Sequence, residues 1–387
     1  MQAHTLNSDC FCLELDTADV SRRALTAAHP VFFPASVRAE IVALVTEIDA
    51  ALDQMRTVSP ATRAAAVFNS FDFHMTAPDA DQAGGPKLIE INVNAGGAFL
   101  QPEIARLAQQ SRLGSALGGR MEAAFAPALV LIDTWRHTRA RHAHTHRPPR
   151  MAIVDADIAH QPLRADMQAA QMQLGARGVP CEIVDLADLQ IEDGQLIGPE
   201  GVIDMVYNRH CDFDLTRPES AVLRQAHADG LALVAPNPDV FEAWGDKDWL
   251  LELSALQDRP AAILAANELT KDSAPALWAQ RKSLVFKPLS GFGSQGVYRG
   301  DKISRTRFEA LVDAGYLAQE KAEPMTRIQP VDGQRRRFKS DIRVWTQGGK
   351  VLHMAARLYA GQVMGMRAKH EGFAPIIWLK DDDNACC

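Results

Sequence analysis

Glu90 and Asn92 lie two residues apart in the run Lys87-Leu88-Ile89-Glu90-Ile91-Asn92-Val93-Asn94-Ala95-Gly96-Gly97. The run reads as a buried strand, in which side chains two apart point the same way, so a carboxylate and an amide share one face while Ile89, Ile91 and Val93 pack behind them. Just upstream stand Phe71-Asp72-Phe73-His74 and a turn-rich segment, 77–86. That order predicts a β-hairpin with Asp72 across from Glu90. Asp72, Glu90 and Asn92 would then converge as hard-oxygen ligands suited to Mg²⁺ held between protein and phosphate. The alternative is an ordinary hairpin with a solvated polar face, which the cost of burying a lone Glu in so apolar a run disfavours.

A second constellation lies at Val285-Phe286-Lys287-Pro288-Leu289-Ser290-Gly291-Phe292-Gly293-Ser294-Gln295-Gly296-Val297. An apolar strand delivers Lys287 to a loop of three glycines and two serines. Backbone N–H groups of Ser290, Gly291, Gly293, Ser294, Gln295 and Gly296 could approach phosphate oxygens there without Cβ interference. Lys287 would set a point charge on the phosphates. The spacing is neither a P-loop nor a dinucleotide fingerprint. Alone such a loop often only makes a turn; beside the Glu-x-Asn strand it gains weight.

Together these pieces resemble the ATP-grasp superfamily, which couples ATP to the ligation of a carboxylate with an amine or thiol. In that family the glycine loop usually comes first and the Glu-x-Asn strand last. Here the order is reversed, so the chain resembles a circularly permuted, glutathionylspermidine-synthetase-like ATP-grasp protein. Phe71-Asp72-Phe73-His74, Val206-Tyr207-Asn208-Arg209, Asp246-Lys247 and Asp341-Ile342-Arg343 fit the same group. The resemblance implies an α/β fold, the permuted ATP-grasp arrangement with a small parallel α/β lobe before the nucleotide part. It implies ATP and Mg²⁺, or Mn²⁺ in its place, with Asp72, Glu90 and Asn92 on the metal.

By the same resemblance Lys247 meets the α-phosphate alongside Lys287. Gln319, Glu320 and Lys321 read the purine edge, and Glu320 or Glu323 serves amino or ribose groups. Arg343 and Arg357 sit near the phosphates and stabilise a tetrahedral intermediate with Lys287. Arg209, Asp212, Asn94 and Arg367 are the candidate substrate contacts, although an Arg209–Asp212 surface pair is an equal reading of two of them. The pattern is broken at Ser70, where relatives carry arginine, and at Met364 to Glu371, where they carry an Asn before the Arg and a run of glycines. Those departures bear on the acceptor side and leave the nucleotide residues intact.

The elements that must position these groups follow from periodicity. Val37, Ile41, Leu44, Val45, Ile48 and Leu52 recur at helical spacing. Residues 104–135 read as two helices broken near Gly118-Gly119. Strands at 151–155, 181–186 and 203–209 alternate with a helix at 163–176, which predicts a parallel lobe. Phe241 to Leu251 reads as a helix carrying Lys247. Gly348-Gly349 between two alternating runs signals a hairpin, whose register decides whether Arg357 shares a face with Asp341 and Arg343. Arg335-Arg336-Arg337 reads as a solvated loop. His74 shares the Asp72 face and reads as a structural histidine or a general base.

The expected division is 1–135 for a helical region plus the metal-ligand hairpin, 136–150 for a basic linker and 151–235 for the parallel lobe. The nucleotide lobes follow at 236–380, and 381–387 is a disordered tail. The 387 residues are 47% hydrophobic, enough for a sizeable core. A net charge of −7 and aromatic content of 6% argue against nucleic-acid or membrane-surface binding. The six cysteines match no zinc spacing, and no basic-then-apolar leader opens the sequence. The expectation is a cytoplasmic enzyme acting on a small-molecule carboxylate and an amine or thiol, with a homodimer allowed. An ATP-binding regulatory module and a phosphotransferase on the same fold are the alternatives.

Overall fold

The computed structural model describes residues 25–27, 29–78, 84–110, 118–139, 148–291, 293, 295–331, 334–362, 364 and 370–380. Arg367 and Ser294 lie outside the described residues, as do Cys10, Cys12, Cys386 and Cys387.

Alternation of buried and polar residues builds the largest sheet. Strand β1 (Val31–Pro34) leads into helix α1 (Ala35–Met55), whose Ile41, Val45, Ile48 and Leu52 are buried one turn apart. Then come β2 (Asn69–Thr76) and β3 (Gly85–Asn92), the expected hairpin. Far along the chain, β12 (Thr326–Val331), β13 (Gln334–Gln347), β14 (Lys350–Tyr359) and β15 (Gly372–Ala374) complete the same antiparallel sheet. Its order is β15-β14-β13-β2-β3, with β12 paired to β13. Gly348 and Gly349 join β13 to β14 at φ of 54° and 74°. Those two left-handed residues make the turn that suits the twist of a two-residue hairpin. A last strand, β16 (Ile376–Leu379), pairs in parallel with β1, so the sheet's N-terminal and C-terminal neighbours are tied together.

Between these halves, among the described residues, lie three other sheets, one of them a small antiparallel sheet within residues 190–202. Strands β4 (Met151–Asp155), β5 (Cys181–Asp185), β6 (Met205–Asn208) and β7 (Leu233–Ala235) form a parallel sheet in the order β7-β6-β4-β5. Every residue of β4 is buried, as a central parallel strand covered on both faces requires. Strands β8 (Ala266–Glu268), β9 (Leu284–Pro288), β10 (Tyr298–Arg299) and β11 (Tyr316–Glu320) form an antiparallel sheet in the order β8-β11-β9-β10. Phe286, Phe308, Leu277 and Leu311 form a separate core behind it.

Two elements differ from the sequence reading. The segment 241–251 is not one helix: helices span Pro238–Trp244 and Trp249–Ser254, and Lys247 lies in the break. The break frees the Lys247 N–H to donate to Leu289 O, at 2.8 Å, which draws the segment to the glycine loop. Arg335, Arg336 and Arg337 are not in a loop but inside β13, where pairing with β12 extends the strand beyond its apolar part.

Candidate functional site

Register brings the chemistry together. Asp72 on β2 stands between two partners, Glu90 on β3 and Arg343 on β13. On β14, Arg357 lies directly opposite Asp341, so it shares the face of Asp341 and Arg343. The bulge in this hairpin falls beyond them, between Trp345 and Thr346. Four strands thus deliver Asp72, Glu90, Asn92, Asp341, Arg343 and Arg357 to one side of one sheet.

The hydrogen bonds make this a single network. Arg343 Nε and Nη2 donate to the two Asp72 oxygens at 2.9 and 2.6 Å. Arg357 donates to Asp341 at 2.7 and 2.9 Å and to Asp72 at 2.8 Å. Asn92 donates to Asp72 at 3.2 Å and to Glu90 at 3.3 Å. Burial pushes the Asp72 carboxyl up, but Arg343 and Arg357 override it and hold the group well below the usual carboxylate range. Burial raises Asp341 instead, against the pull of Arg357.

The second motif closes on the first from the opposite sheet. Lys287 Nζ, on β9, donates to Ile89 O and to Gln319 Oε1, both at 2.7 Å. Gln319 Nε2 reaches Leu88 O at 3.4 Å, and Leu88 N donates to Ala262 O at 2.8 Å. Burial pushes Lys287 down to about 8, with Lys247 lowering it further and Glu90 pulling it back. Lys247 Nζ donates to Gly291 O at 2.7 Å, and burial lowers its pKa as well. Ser290 Oγ donates to Asp246 Oδ1 at 2.5 Å, and Gly293 and Gly296 take φ of 61° and 70°, conformations glycine adopts freely.

The two sheets flank an open cleft. Of the residues picked out in the sequence, Asp72, Glu90, Lys287, Gln319, Glu320, Lys321, Glu323 and Arg357 line it. Asn92 and Arg343 join through their bonds to Asp72. His74 also lines it, but its Nδ1 is engaged with Ala322 O at 2.8 Å and burial lowers its pKa, so the structure gives it a bracing role. Four lining residues had no signal of their own in the sequence reading: Arg299, Lys339, Asp341 as a site residue, and Tyr359. Strand alternation from Arg343 and Arg357 could have found Lys339, Asp341 and Tyr359; Arg299 depends on long-range pairing of β10 with β9.

The proposed substrate residues do not line this cleft. Arg209 is buried and donates to the side chain and the carbonyl of Asn94, the latter at 3.2 Å. Asp212 accepts from Ser220 Oγ and, at 2.9 Å, from Arg217 N. The Arg209–Asp212 surface pair therefore does not form: Asp212 folds back on its own loop. One structural residue was missed altogether. The buried Asp166 carboxylate accepts from the N–H groups of Gly97, Phe99 and Leu100 at 2.9, 2.9 and 3.2 Å, fixing the loop that follows β3.

The donor set at Asp72, Glu90 and Asn92 suits a hard cation, being two carboxylates and an amide oxygen once the amide is turned. No group of three or more His, Cys, Asp or Glu side chains among the described residues could hold a metal. The third donor here is an amide, and Asp72 Oδ2 already accepts from both arginines and Asn92. Glu90 is the less encumbered carboxylate.

No protein-family model and no curated protein sequence matches this chain. Among solved structures it is similar to a glutathione synthetase-like effector from Globodera pallida, at 12% identity and a TM-score of 0.56, over 92% of this chain and 90% of that one. It is also similar to a putative gamma-glutamylcysteine synthetase from Methylobacillus flagellatus, at 11% identity and a TM-score of 0.45 over 87% of both chains. The ATP-grasp ligase PsnB, solved with a minimal precursor, Mg and ADP, aligns over 59% of this chain and 88% of its own, at 15% identity and a TM-score of 0.32. Likeness to the effector over about nine-tenths of both chains is likeness of fold.

Proposed function

We propose that this protein is an ATP-dependent ligase joining a carboxylate to an amine or thiol, built on a circularly permuted ATP-grasp fold. One observation carries the reading: Lys287 Nζ touches Ile89 O at 2.7 Å, across 198 residues of sequence. That bond sets the glycine-loop strand against the Glu-x-Asn strand, the relation the permuted order requires. In this reading the sheet 151–235 is the lobe that precedes the nucleotide part, and 236–380 with the hairpin 69–92 encloses the nucleotide.

ATP would lie in the cleft, its purine along Gln319 to Glu323 and its phosphates toward Lys247, Lys287 and the loop 290–296. Asp72, Glu90 and Asn92 would hold Mg²⁺, which would neutralise charge on the outer phosphates. The chain's own contribution is positioning and fixed positive charge. Lys287 is pinned between Ile89 and Gln319 before any ligand arrives, so little reorganisation accompanies phosphate contact. Arg343 and Arg357, held on Asp72, are the cations available to the oxygens of an acyl phosphate and of the adduct formed when the amine or thiol attacks it. The carboxylate substrate gains the γ-phosphoryl group, the nucleophile displaces phosphate, and ADP and phosphate leave. Arg209, Asn94 and Arg367 remain proposed acceptor-side contacts.

The test is a screen of carboxylates paired with amines or thiols for phosphate release. Ligation requires release that depends on both partners and yields a joined product by mass spectrometry. ADP with a stable phosphorylated carboxylate and no dependence on the nucleophile would instead assign a phosphotransferase.

A further inference from the structure

One charged feature stands outside the nucleotide site. Along β13, residues 335, 337, 339, 341 and 343 share a face, because side chains alternate and no register shift interrupts this stretch. Lys339 and Asp341 line the cleft and Arg343 binds Asp72. Arg335 and Arg337 therefore extend the cleft's own face outward along the hairpin β12–β13. Cross-strand pairing sets Arg335 beside Pro330, Arg337 beside Ile328 and Lys339 beside Thr326. On this face Ile328 is 52% exposed and Arg335 and Arg337 are exposed; on the other side Gln329, Val331 and Phe338 are buried while Gln334 and Arg336 are exposed, so the outer end of the hairpin meets solvent on both faces.

Three of the cations that line the cleft, Arg299, Lys321 and Arg357, are held in ion pairs, whereas Lys287 is held by Ile89 O and Gln319. Arg299 pairs with Asp301 and Glu323, and Lys321 pairs with Glu323. Arg335 and Arg337 form no salt bridge among the described residues. A protein with a net charge of −7 thus sets two arginines, without an ion-pair partner among the described residues, in line with Lys339 at the mouth of its candidate site. Successive members of the row are about 7 Å apart, the repeat of alternate residues in any extended chain.

We propose that this face is a subsite for the extended, acidic part of a peptide substrate, with carboxylates at alternate positions meeting Arg335, Arg337 and Lys339. An apolar side chain between them would cover Ile328. The reactive carboxylate would then continue the row inward, toward Asp341 and the arginines at 343 and 357. The substrate-class part of this inference rests on the ligase reading above; the binding face itself does not. Arginine suits the role through planar, bidentate pairing with carboxylates. Nucleic acid is the less suited polyanion, given the acidic chain as a whole.

The experiment is fluorescence anisotropy of a labelled peptide of alternating Glu and Thr on the full chain, with and without a non-hydrolysable ATP analogue and Mg²⁺. Analogue binding is measured separately by calorimetry on the same proteins. Expected is saturable peptide binding that weakens about tenfold or more in Arg335→Ala/Arg337→Ala, while Arg336→Ala, on the other face, stays near wild type and analogue binding is unchanged in both. An alternating Lys-Thr peptide should not bind. Absence of peptide binding, equal loss in Arg336→Ala, or equally tight binding of an oligonucleotide of the same charge would overturn the proposal. Peptide binding without analogue binding would sink the ligase reading and keep the acidic-peptide face; analogue binding without peptide binding would do the reverse.

Discussion

Lys287 is buried at the meeting point of two motifs, and its protonation is the most informative chemistry at residue scale. Burial lowers its pKa to about 8, so the free protein releases this proton more readily than an unfolded chain would. Between about 8 and the ordinary lysine value the unfolded state holds the proton and the folded state does not, so this residue's contribution to stability rises with pH in that window. Polyphosphate beside Lys287 favours the charged form. Binding of an ATP analogue at a pH of about 8.5 should therefore take up a fraction of a proton, seen by calorimetry in buffers of different ionisation enthalpy. Lys287→Ala should abolish the uptake; uptake that persists in that variant would assign it elsewhere. Asp72 gives a second prediction. Asp72→Asn leaves Arg343 buried without its carboxylate, while Arg357 keeps Asp341. Urea unfolding should show a loss of about 3–5 kcal/mol, and a loss under about 1 kcal/mol would mean the arginines relax to solvent. The types and spacing of Asp72, Glu90, Asn92 and Lys287 were legible because strand alternation is local. That Asp72 carries two arginines was not, since it depends on strands 271 and 285 residues away.

At the scale of elements, the hairpins were readable and the breaks were not. The turn glycines at 348 and 349, the alternation of β2 and β3, and the buried run of β4 each follow from a pattern within about ten residues. The break around Lys247 accompanies a bond to Leu289, and the extension of β13 through three arginines accompanies pairing with β12. Neither partner is visible in the local sequence. The Gly96-Gly97 pair after β3 has a packing reason as well. Gly97 adopts a φ of 92°, and a Cβ there would fall within the Phe373 ring. Its N–H also donates to buried Asp166. Gly97→Ala should cost about 2 kcal/mol or more by urea unfolding, through strain and overpacking together. Near-neutral stability would show that the loop can move off Phe373, and the Asp166 anchor would then not fix it.

For the whole molecule, the parallel pairing of β1 with β16 and the insertion of three sheets between β3 and β12 put the two halves of one antiparallel sheet at opposite ends of the sequence. Length and composition allowed a multi-lobed α/β protein; they did not show which strands would meet. Of the described residues, no helix is long and apolar enough to cross a membrane. The central claim is that one nucleotide site is shared by strands almost two hundred residues apart. The most direct test is calorimetric titration of the full chain with a non-hydrolysable ATP analogue, with and without Mg²⁺, beside Lys287→Ala and Asn92→Ala. The account predicts binding that strengthens with Mg²⁺ and falls about tenfold or more in each variant, with Asn92→Ala also losing the Mg²⁺ dependence. Binding untouched by Asn92→Ala, or no binding by the folded wild-type chain, would contradict it.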